Sequence, residues 1–320
     1  MYILWKAERR NTMKRYAKIA AILTALTLCI GCLTGCGKTT EEIKTEYSKI
    51  LSNKATPQSM EDAGEYAEKY AKKLTKDGAS VMVAQLEDYL IQYINTDRDD
   101  VQVQSLVSYF DKDSGKIDEE KIKDKGTKEY YEILQKVHIY PVYFEEKVQL
   151  RVNYGSLNEA FSKVIDPALS QLYEIDQMIT DEPATRNAAI QISFDELMDR
   201  AMVVEALITE YPDNIWINDE VRWLYSTYLD LIMMGTTNTP VFDYQSGAFN
   251  VQAKAAYEHV VKEHQDTTLA WALNQYFAYL EEIGYTMNYK DSTKSKLFFD
   301  TCYGIRIAAE KRVFAKNELQ

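Results

Sequence analysis

The chain has 320 residues, with 37 basic and 49 acidic side chains and a formal net charge of −12. That excess of negative charge repels nucleic-acid phosphates and anionic lipid headgroups, which argues against a nucleic-acid-binding role. Only six prolines and twelve glycines punctuate it, and apolar residues recur at helical spacing over most of its length, so a mainly α chain is expected.

The first segment has three parts. Lys14, Arg15 and Lys18 supply positive charge, Ile19 to Ile30 is apolar apart from its threonines, and Gly31 to Cys36 is mostly small and ends in a cysteine. This is the grammar of an export signal, and Leu33-Thr34-Gly35-Cys36 resembles the lipobox of bacterial lipoproteins. The resemblance implies that Leu33 fits the recognition pocket of the lipoprotein signal peptidase, that the chain is cut before Cys36, and that the Cys36 sulfur carries lipid. An earlier match ending at Cys32 is poorer, because Ile30 is bulky where that family has a small residue. The apolar run is too short for a spanning helix, which needs about 20 residues. Residues 1–35 are therefore expected to be a signal peptide, with Met13 as an alternative start.

The expected location is the extracytoplasmic face of the cell membrane, held by a covalent lipid and no other cofactor. From Cys36 onward the chain holds 31 basic and 48 acidic residues, a net charge of −17. The tether, rather than a basic patch, is then expected to supply membrane contact. Cys29 and Cys32 leave with the signal and Cys36 is consumed by lipid, so Cys302 remains alone, on the apolar face of a helix.

Thr39-Thr40-Glu41-Glu42 reads as a capping box opening a helix to about Asn53. Thr56-Pro57 reads as N-cap and first position of a second helix, running to Lys76 and stopped by Asp77-Gly78. A third, Ala79 to Asn95, places Met82, Leu86, Leu90 and Tyr93 on one face. Asp97 to Lys125 is polar around a short apolar island, Val101 to Phe110. Thr127 to Val137 reads as helix. Val148, Leu150, Val152 and Tyr154 alternate with polar residues, which argues for a strand, with Val142 and Phe144 as its hairpin partner.

Helix returns from Leu157. Ser193-Phe194-Asp195-Glu196 is a second clear capping box, opening a stripe of Leu197, Ala201, Val204, Leu207 and Ile208. After a turn at Tyr211-Pro212-Asp213-Asn214 comes a partner with Val221, Leu224, Tyr225, Tyr228 and Ile232. A loop from Thr236 to Ala248 leads to a stripe of Phe249, Ala253, Tyr257 and Val260. His264-Gln265-Asp266-Thr267 turns it into a partner with Leu269, Leu273, Tyr276 and Leu280. The last helix starts near Asp291, with Phe298, Cys302, Ile305 and Ala309 inward. Between Glu196 and Ile283 the two helix–turn–helix pairs, with small residues at Ala201, Ala253 and Ala270, resemble the hairpins of tetratricopeptide-type repeats. They depart from that family in spacing, since the turns are not one repeat of about 34 residues apart. The generic alternative is an antiparallel bundle, since short turns make antiparallel neighbours.

Chemistry-bearing patterns are sparse. Asp111-Lys112-Asp113-Ser114-Gly115 has a calcium-loop flavour, but its glycine is one place early and Ile122 stands where a bidentate glutamate belongs. His259 and His264 are five apart and do not share a helical face as a zinc pair does, and His138 is isolated. There is no Gly-x-Ser-x-Gly elbow and no glycine-rich phosphate loop. Tyrosine, by contrast, is abundant: 24 against ten phenylalanines. Tyr225, Tyr228, Tyr244, Tyr257, Tyr276, Tyr279, Tyr285 and Tyr289 cluster in the C-terminal half. They suit either an aromatic groove for a sugar or peptide or the filling of interhelical space.

These features lead to a mainly α chain, an antiparallel helical bundle or an irregular array of helical hairpins, with room for one small β-hairpin near 139–154. The expected parts are the signal 1–35, a helical region 36–126 and a helical domain 127–320. The functional expectation is a non-enzymatic lipoprotein anchored to the membrane through Cys36, which binds a protein or cell-wall partner, with no metal and no nucleic acid. Tyr225, Tyr228, Phe242, Tyr244 and Trp271 are the candidate contact residues, with the 239–244 loop as the favoured place. The alternatives are a solute-binding lipoprotein of a transporter, whose usual alternation of strand and helix is missing here, and a cell-wall hydrolase using carboxylates.

Overall fold

A computed structural model describes residues 38–96, 101–111, 117–144 and 146–315. Cys36 with the whole signal segment, and residues 112–116 of the calcium-like turn, lie outside the described residues. Twelve α-helices and three two-stranded antiparallel hairpins make up the described chain, so the fold is mainly α with small β-hairpins. It forms two compact units that divide between Gln177 and Met178. Gly126 and Thr127, where the sequence suggested a boundary, lie in the first turn of a helix within the first unit.

In the first unit, α1 (Thr40–Leu51) opens on the expected capping box: the Thr39 hydroxyl accepts from Glu42 N, and the Glu42 carboxylate accepts from Thr39 N at 2.7 Å. α2 (Pro57–Tyr70) opens on Thr56 with Pro57 in its first turn, where a missing N–H costs nothing. It ends earlier than the sequence suggests, in a 3₁₀ turn at Ala71–Lys73, and α3 (Lys76–Thr96) begins before Gly78. Thr75 is the cause. Its hydroxyl accepts from Gly78 N at 3.2 Å and its carbonyl from Ala79 N at 2.8 Å, which caps α3 and places Gly78 inside its first turn.

α3 buries Met82, Val83, Ala84, Leu86, Tyr89, Leu90 and Tyr93, more than one face can hold, which marks it as the central helix of the unit. α1, α2 and the second hairpin strand pack on it. α4 (Val101–Ser105) and α5 (Lys125–Lys136) pack on the expected hairpin, β1 (Ile139–Phe144) with β2 (Lys147–Val152), paired from Ile139↔Val152 to Phe144↔Lys147. Val148, Leu150 and Val152 alternate inward. Tyr154 does not continue that strand. Asn153 accepts from Ser156 N at 2.9 Å and opens α6 (Tyr154–Phe161), so the alternation stops one residue short of Tyr154. α7 (Pro167–Asp181) follows.

In the second unit, α8 (Phe194–Glu210) packs on α9 (Asn218–Met234), α10 (Val251–Glu263), α11 (Thr268–Glu282) and α12 (Ser292–Ala315). Ser193 caps α8, accepting from Glu196 N at 3.0 Å, while the Glu196 carboxylate accepts from Arg200 Nε at 2.6 Å. Arg200 is fully buried and also donates to the Glu182 carbonyl and carboxylate at 2.6 and 2.9 Å, which holds the chain entering α8. α12 packs along both return helices, α9 and α11, where a stacked repeat would place each hairpin on the next. Cys302 is buried on α12, and burial pushes its thiol well above the ordinary range.

Tyrosine hydroxyls finish the C-terminal end of α9. The last carbonyls of a helix have no partner within it. At the end of α9, Ile232 O accepts from the Tyr257 hydroxyl, and Met233 O accepts from the Tyr276 hydroxyl at 2.7 Å. At the start of α11, the buried Glu205 carboxylate accepts from Thr268 N, from Leu269 N at 2.8 Å and from the Tyr225 hydroxyl at 2.9 Å. Each of these three tyrosines combines ring burial with a polar tip that reaches an orphaned backbone or carboxylate group.

Candidate functional site

The five candidate contact residues do not form one groove. Tyr225, Tyr228 and Phe242 are buried in the second unit's core, where Tyr225 serves Glu205 and Phe242 meets Phe249 and Phe298 at 5.1 and 5.5 Å. Trp271 is half-buried in the first turn of α11 beneath the Arg312 guanidinium. Tyr244 is 54% exposed. It belongs to the loop cluster that also holds 283–291, which follows the other end of α11, about 20 Å from Trp271 along the helix rise. Of the five, Tyr244 is the most open to solvent.

Tyr244 sits on a platform of four short segments. Two of them are hairpins, β3–β4 (Thr185–Arg186 with Ala189–Ile190) and β5–β6 (Gly235–Thr236 with Thr239–Pro240). Their tips lock together: Asn238 donates from N to Ala188 O at 2.8 Å and from Nδ2 to Asn187 O at 2.7 Å, and Ile190 N donates to the Thr239 hydroxyl at 3.1 Å. The other two segments, 241–250 and 283–291, are joined by Phe249 N to Tyr285 O at 3.1 Å and Met287 N to Gly247 O at 2.8 Å. Gly247 is obligatory here, because its φ is +72° and a Cβ would collide with the Met287 carbonyl. Asp243 organises the loop between them by accepting from Gln245 N, Ser246 N and the Ser246 hydroxyl, and these bonds hold its carboxyl below the usual range.

Nine described residues have positive φ, and six of them are in these segments: Asn187, Ala188, Gly235, Gly247, Gly284 and Tyr285. Strained backbone gathers where a surface must keep one shape. On that surface the Tyr244 hydroxyl donates to Thr237 O at 3.2 Å, and the Tyr244 ring lies 5.0 Å from Tyr289. The aromatic line continues from Tyr289 to Phe298 at 6.5 Å and on to Phe299 at 5.1 Å, and Phe299 is again exposed. Burial pushes the Tyr289 phenol up to about 12, so it stays a neutral donor. Beside it, Lys254 Nζ covers the Tyr285 ring at 4.3 Å. Rigid, half-exposed tyrosines with a nearby cation suit contact with a sugar or a peptide. Sequence reasoning placed Tyr285 and Tyr289 in the aromatic cluster without singling them out as contact residues, and missed Phe299 and the Asn187–Asn238 lock. Gly235 and the turn residues Thr237-Asn238 were the available signal.

The first unit has a different opening, a shallow notch of about 430 Å³ lined by Gly155, Asn158, Glu159, Ser162, Glu174 and Gln177. Its polar groups already serve one another: Gly155 N donates to Gln177 Oε1 at 2.7 Å, and Asn158 Oδ1 accepts from the Ser170 hydroxyl at 2.7 Å. Nearby, His138 is buried at the turn from α5 into β1 in the left-handed conformation, φ +58°. Its Nδ1 lies 2.9 Å from the Ser156 hydroxyl, its carbonyl accepts from Asn153 N at 2.7 Å, and its Nε2 is 3.9 Å from the Glu68 carboxylate. Burial lowers its pKa to about 4, so it is neutral at pH 7. These bonds make His138 a latch between β1 and α6. Among the described residues, no group of three or more histidine, cysteine or acidic side chains converges as a metal ligand set. No family model matches the chain, and no curated protein or solved structure matches it.

Proposed function

We propose that the chain is a lipoprotein tethered through Cys36 to the extracytoplasmic face of the membrane, without enzymatic activity, and that it holds a protein or cell-wall partner through the Tyr244 platform. The observation that carries the tether is Leu33-Thr34-Gly35-Cys36 at the end of a basic and then apolar segment. The helical domain begins almost at once, with the Thr39 cap three residues beyond Cys36. Among the described residues no helix is long and apolar enough to cross a membrane, and in this reading attachment rests on the lipid. A single acyl chain holds a protein only marginally, so a multiply acylated cysteine is required.

Metabolic labelling with an alkyne fatty acid tests the tether. The wild-type chain is expected to take up label and to fractionate with membranes, and Cys36→Ala is expected to lose both; label retained by Cys36→Ala would contradict the assignment. For the platform, a photocrosslinker at position 244 on intact cells is expected to give a discrete adduct, and one at the exposed Gln275 of α11 none. Identical products from both positions would remove the platform from the proposal.

A further inference from the structure

From Lys69 to Lys76 the chain carries Lys69, Lys72, Lys73 and Lys76 with no acidic residue between them, in a protein that is acidic overall. The fold adds a fifth cation. Lys38 Nζ lies 5.0 Å from the Tyr70 ring centroid and 5.3 Å from that of Tyr66, and Lys69 and Lys73 approach the same Tyr70 ring at 5.2 and 5.0 Å. Lys38, Lys69, Lys72 and Lys73 are all exposed. Glu46 pairs with Lys38, and Glu42 is the other carboxylate beside it, whereas Lys69, Lys72 and Lys73 have no ion pair among the described residues. A helix C-terminus favours cations, which explains lysines at the end of α2. It does not explain Lys38, which arrives at the same ring from the segment before α1.

Lys38 is two residues from Cys36, a reach of at most about 7 Å of extended chain. We propose that Lys69, Lys72 and Lys73, with Lys38, form a basic foot that lies on anionic phospholipid headgroups at the point of anchoring. This rests on the lipid-tether reading. A chain of strongly negative charge held beside a negative bilayer is repelled by it, and the repulsion is reduced when a basic patch next to the anchor is turned toward the bilayer. The foot adds to the expectation, drawn from net charge, that the tether supplies membrane contact: net charge hides a local lysine run, to which the fold adds Lys38. Each lysine at an anionic surface is worth about fivefold in partitioning, so three of them impose a strong orientation.

The test supplies the tether chemically, so that it does not depend on how the cell processes Cys36. A chain of residues 36–320, which contains every described residue, is coupled through Cys36 to maleimide-lipid vesicles; Cys302 is fully buried and stays unreacted. Lysine acetylation is then read by mass spectrometry on neutral phosphatidylcholine vesicles and on vesicles with three parts in ten phosphatidylglycerol, using Lys125 and Lys128 of α5 as internal references. At least about fivefold slower labelling of Lys69, Lys72 and Lys73 on the anionic vesicles is expected, lost in 0.5 M salt. Equal labelling on the two vesicle types would overturn the foot while leaving the lipid anchor standing. Equal protection by soluble polyphosphate without vesicles would overturn the membrane as its partner and assign it to a phosphate polymer.

Discussion

In the first unit the buried Glu87 carboxylate accepts from two tyrosine hydroxyls, Tyr154 at 3.0 Å and Tyr173 at 3.1 Å, which ties α6 and α7 to α3. In the second, the buried Glu205 accepts from one tyrosine and from two backbone N–H groups at the start of α11. The two sites look alike in composition and differ in tolerance. A hydroxyl can donate or accept and rotates to suit its partner, whereas a backbone N–H only donates. The first site can therefore adapt to a changed partner, and the second cannot.

The largest expected effect follows from that asymmetry. Glu205→Gln brings an amide NH₂ against fixed donors and is expected to destabilise the second unit by about 3–4 kcal/mol. Glu87→Gln is expected to cost the first unit only about 1 kcal/mol, because its tyrosines can turn to accept. The chain's tryptophans beyond the signal, Trp216, Trp223 and Trp271, all lie in the second unit. Denaturant melts followed by tryptophan fluorescence therefore read that unit, and amide exchange in α3 reads the other. Equal costs for the two substitutions would break the comparison.

The units should also answer acid with opposite signs. His138 has a folded pKa of about 4 against an ordinary 6.5. Its contribution is complete above pH 6.5 and is lost as pH falls towards 4, up to about 3 kcal/mol. His138→Asn tolerates the positive φ and should flatten that dependence. In the second unit Asp230 lies between α9 and α12, 3.0 Å from Arg306 Nε. Burial raises its pKa to about 6, Arg306 opposes the rise, and Glu310 adds to it. A raised carboxyl contributes stability below its unfolded value, which is lost as pH rises through 6. Between pH 4 and 6 the first unit should thus gain from His138 while the second loses from Asp230. An Asp230→Asn chain whose fluorescence melts keep the same slope against pH would contradict the second half.

Two conservative changes give smaller effects. Tyr257→Phe strips the hydroxyl from Ile232 O at the buried end of α9 and is expected to cost about 1–2 kcal/mol. In the first unit, among the described residues, the buried Tyr47 hydroxyl has no hydrogen-bond partner. Tyr47→Phe is therefore expected to be neutral or to stabilise by up to about 1 kcal/mol. Thermal melts of the two single variants decide both, and a loss of stability for Tyr47→Phe would show that its hydroxyl has a partner.

Local signals carried much of the fold. The caps at Thr39, Thr56 and Ser193, the stripe on α8 and the alternation Val148-Leu150-Val152 are all short-range patterns, and each formed the element it indicated. Gly78 misled because glycine tolerates a first helical turn once Thr75 supplies the cap. The hairpins at Thr185–Ile190 and Gly235–Pro240 are too short for any periodicity, and Asn187-Ala188 lacks the glycine that usually announces such a turn. Of the platform, the 239–244 loop with Tyr244 and, as members of the aromatic cluster, Tyr285 and Tyr289 were legible; the two hairpins that hold them were not. Whether a tyrosine faces solvent or closes a helix depends on which distant carbonyl meets its hydroxyl, as Ile232 meets Tyr257, and helical spacing does not encode that pairing. The lysine run 69–76 was open to the eye in the sequence, but the place of Lys38 in the foot was not, since Lys38 reaches Tyr70 only after α1 packs on α2.

The most direct measurement is intact-mass analysis of the protein extracted from its native membranes. A chain beginning at Cys36 and heavier than its polypeptide by a diacylglyceryl group, with or without a further acyl chain, is the result expected. A polypeptide that keeps residues before Cys36, or one that starts there with no added lipid mass, would contradict the tether on which both the platform's partner and the basic foot depend.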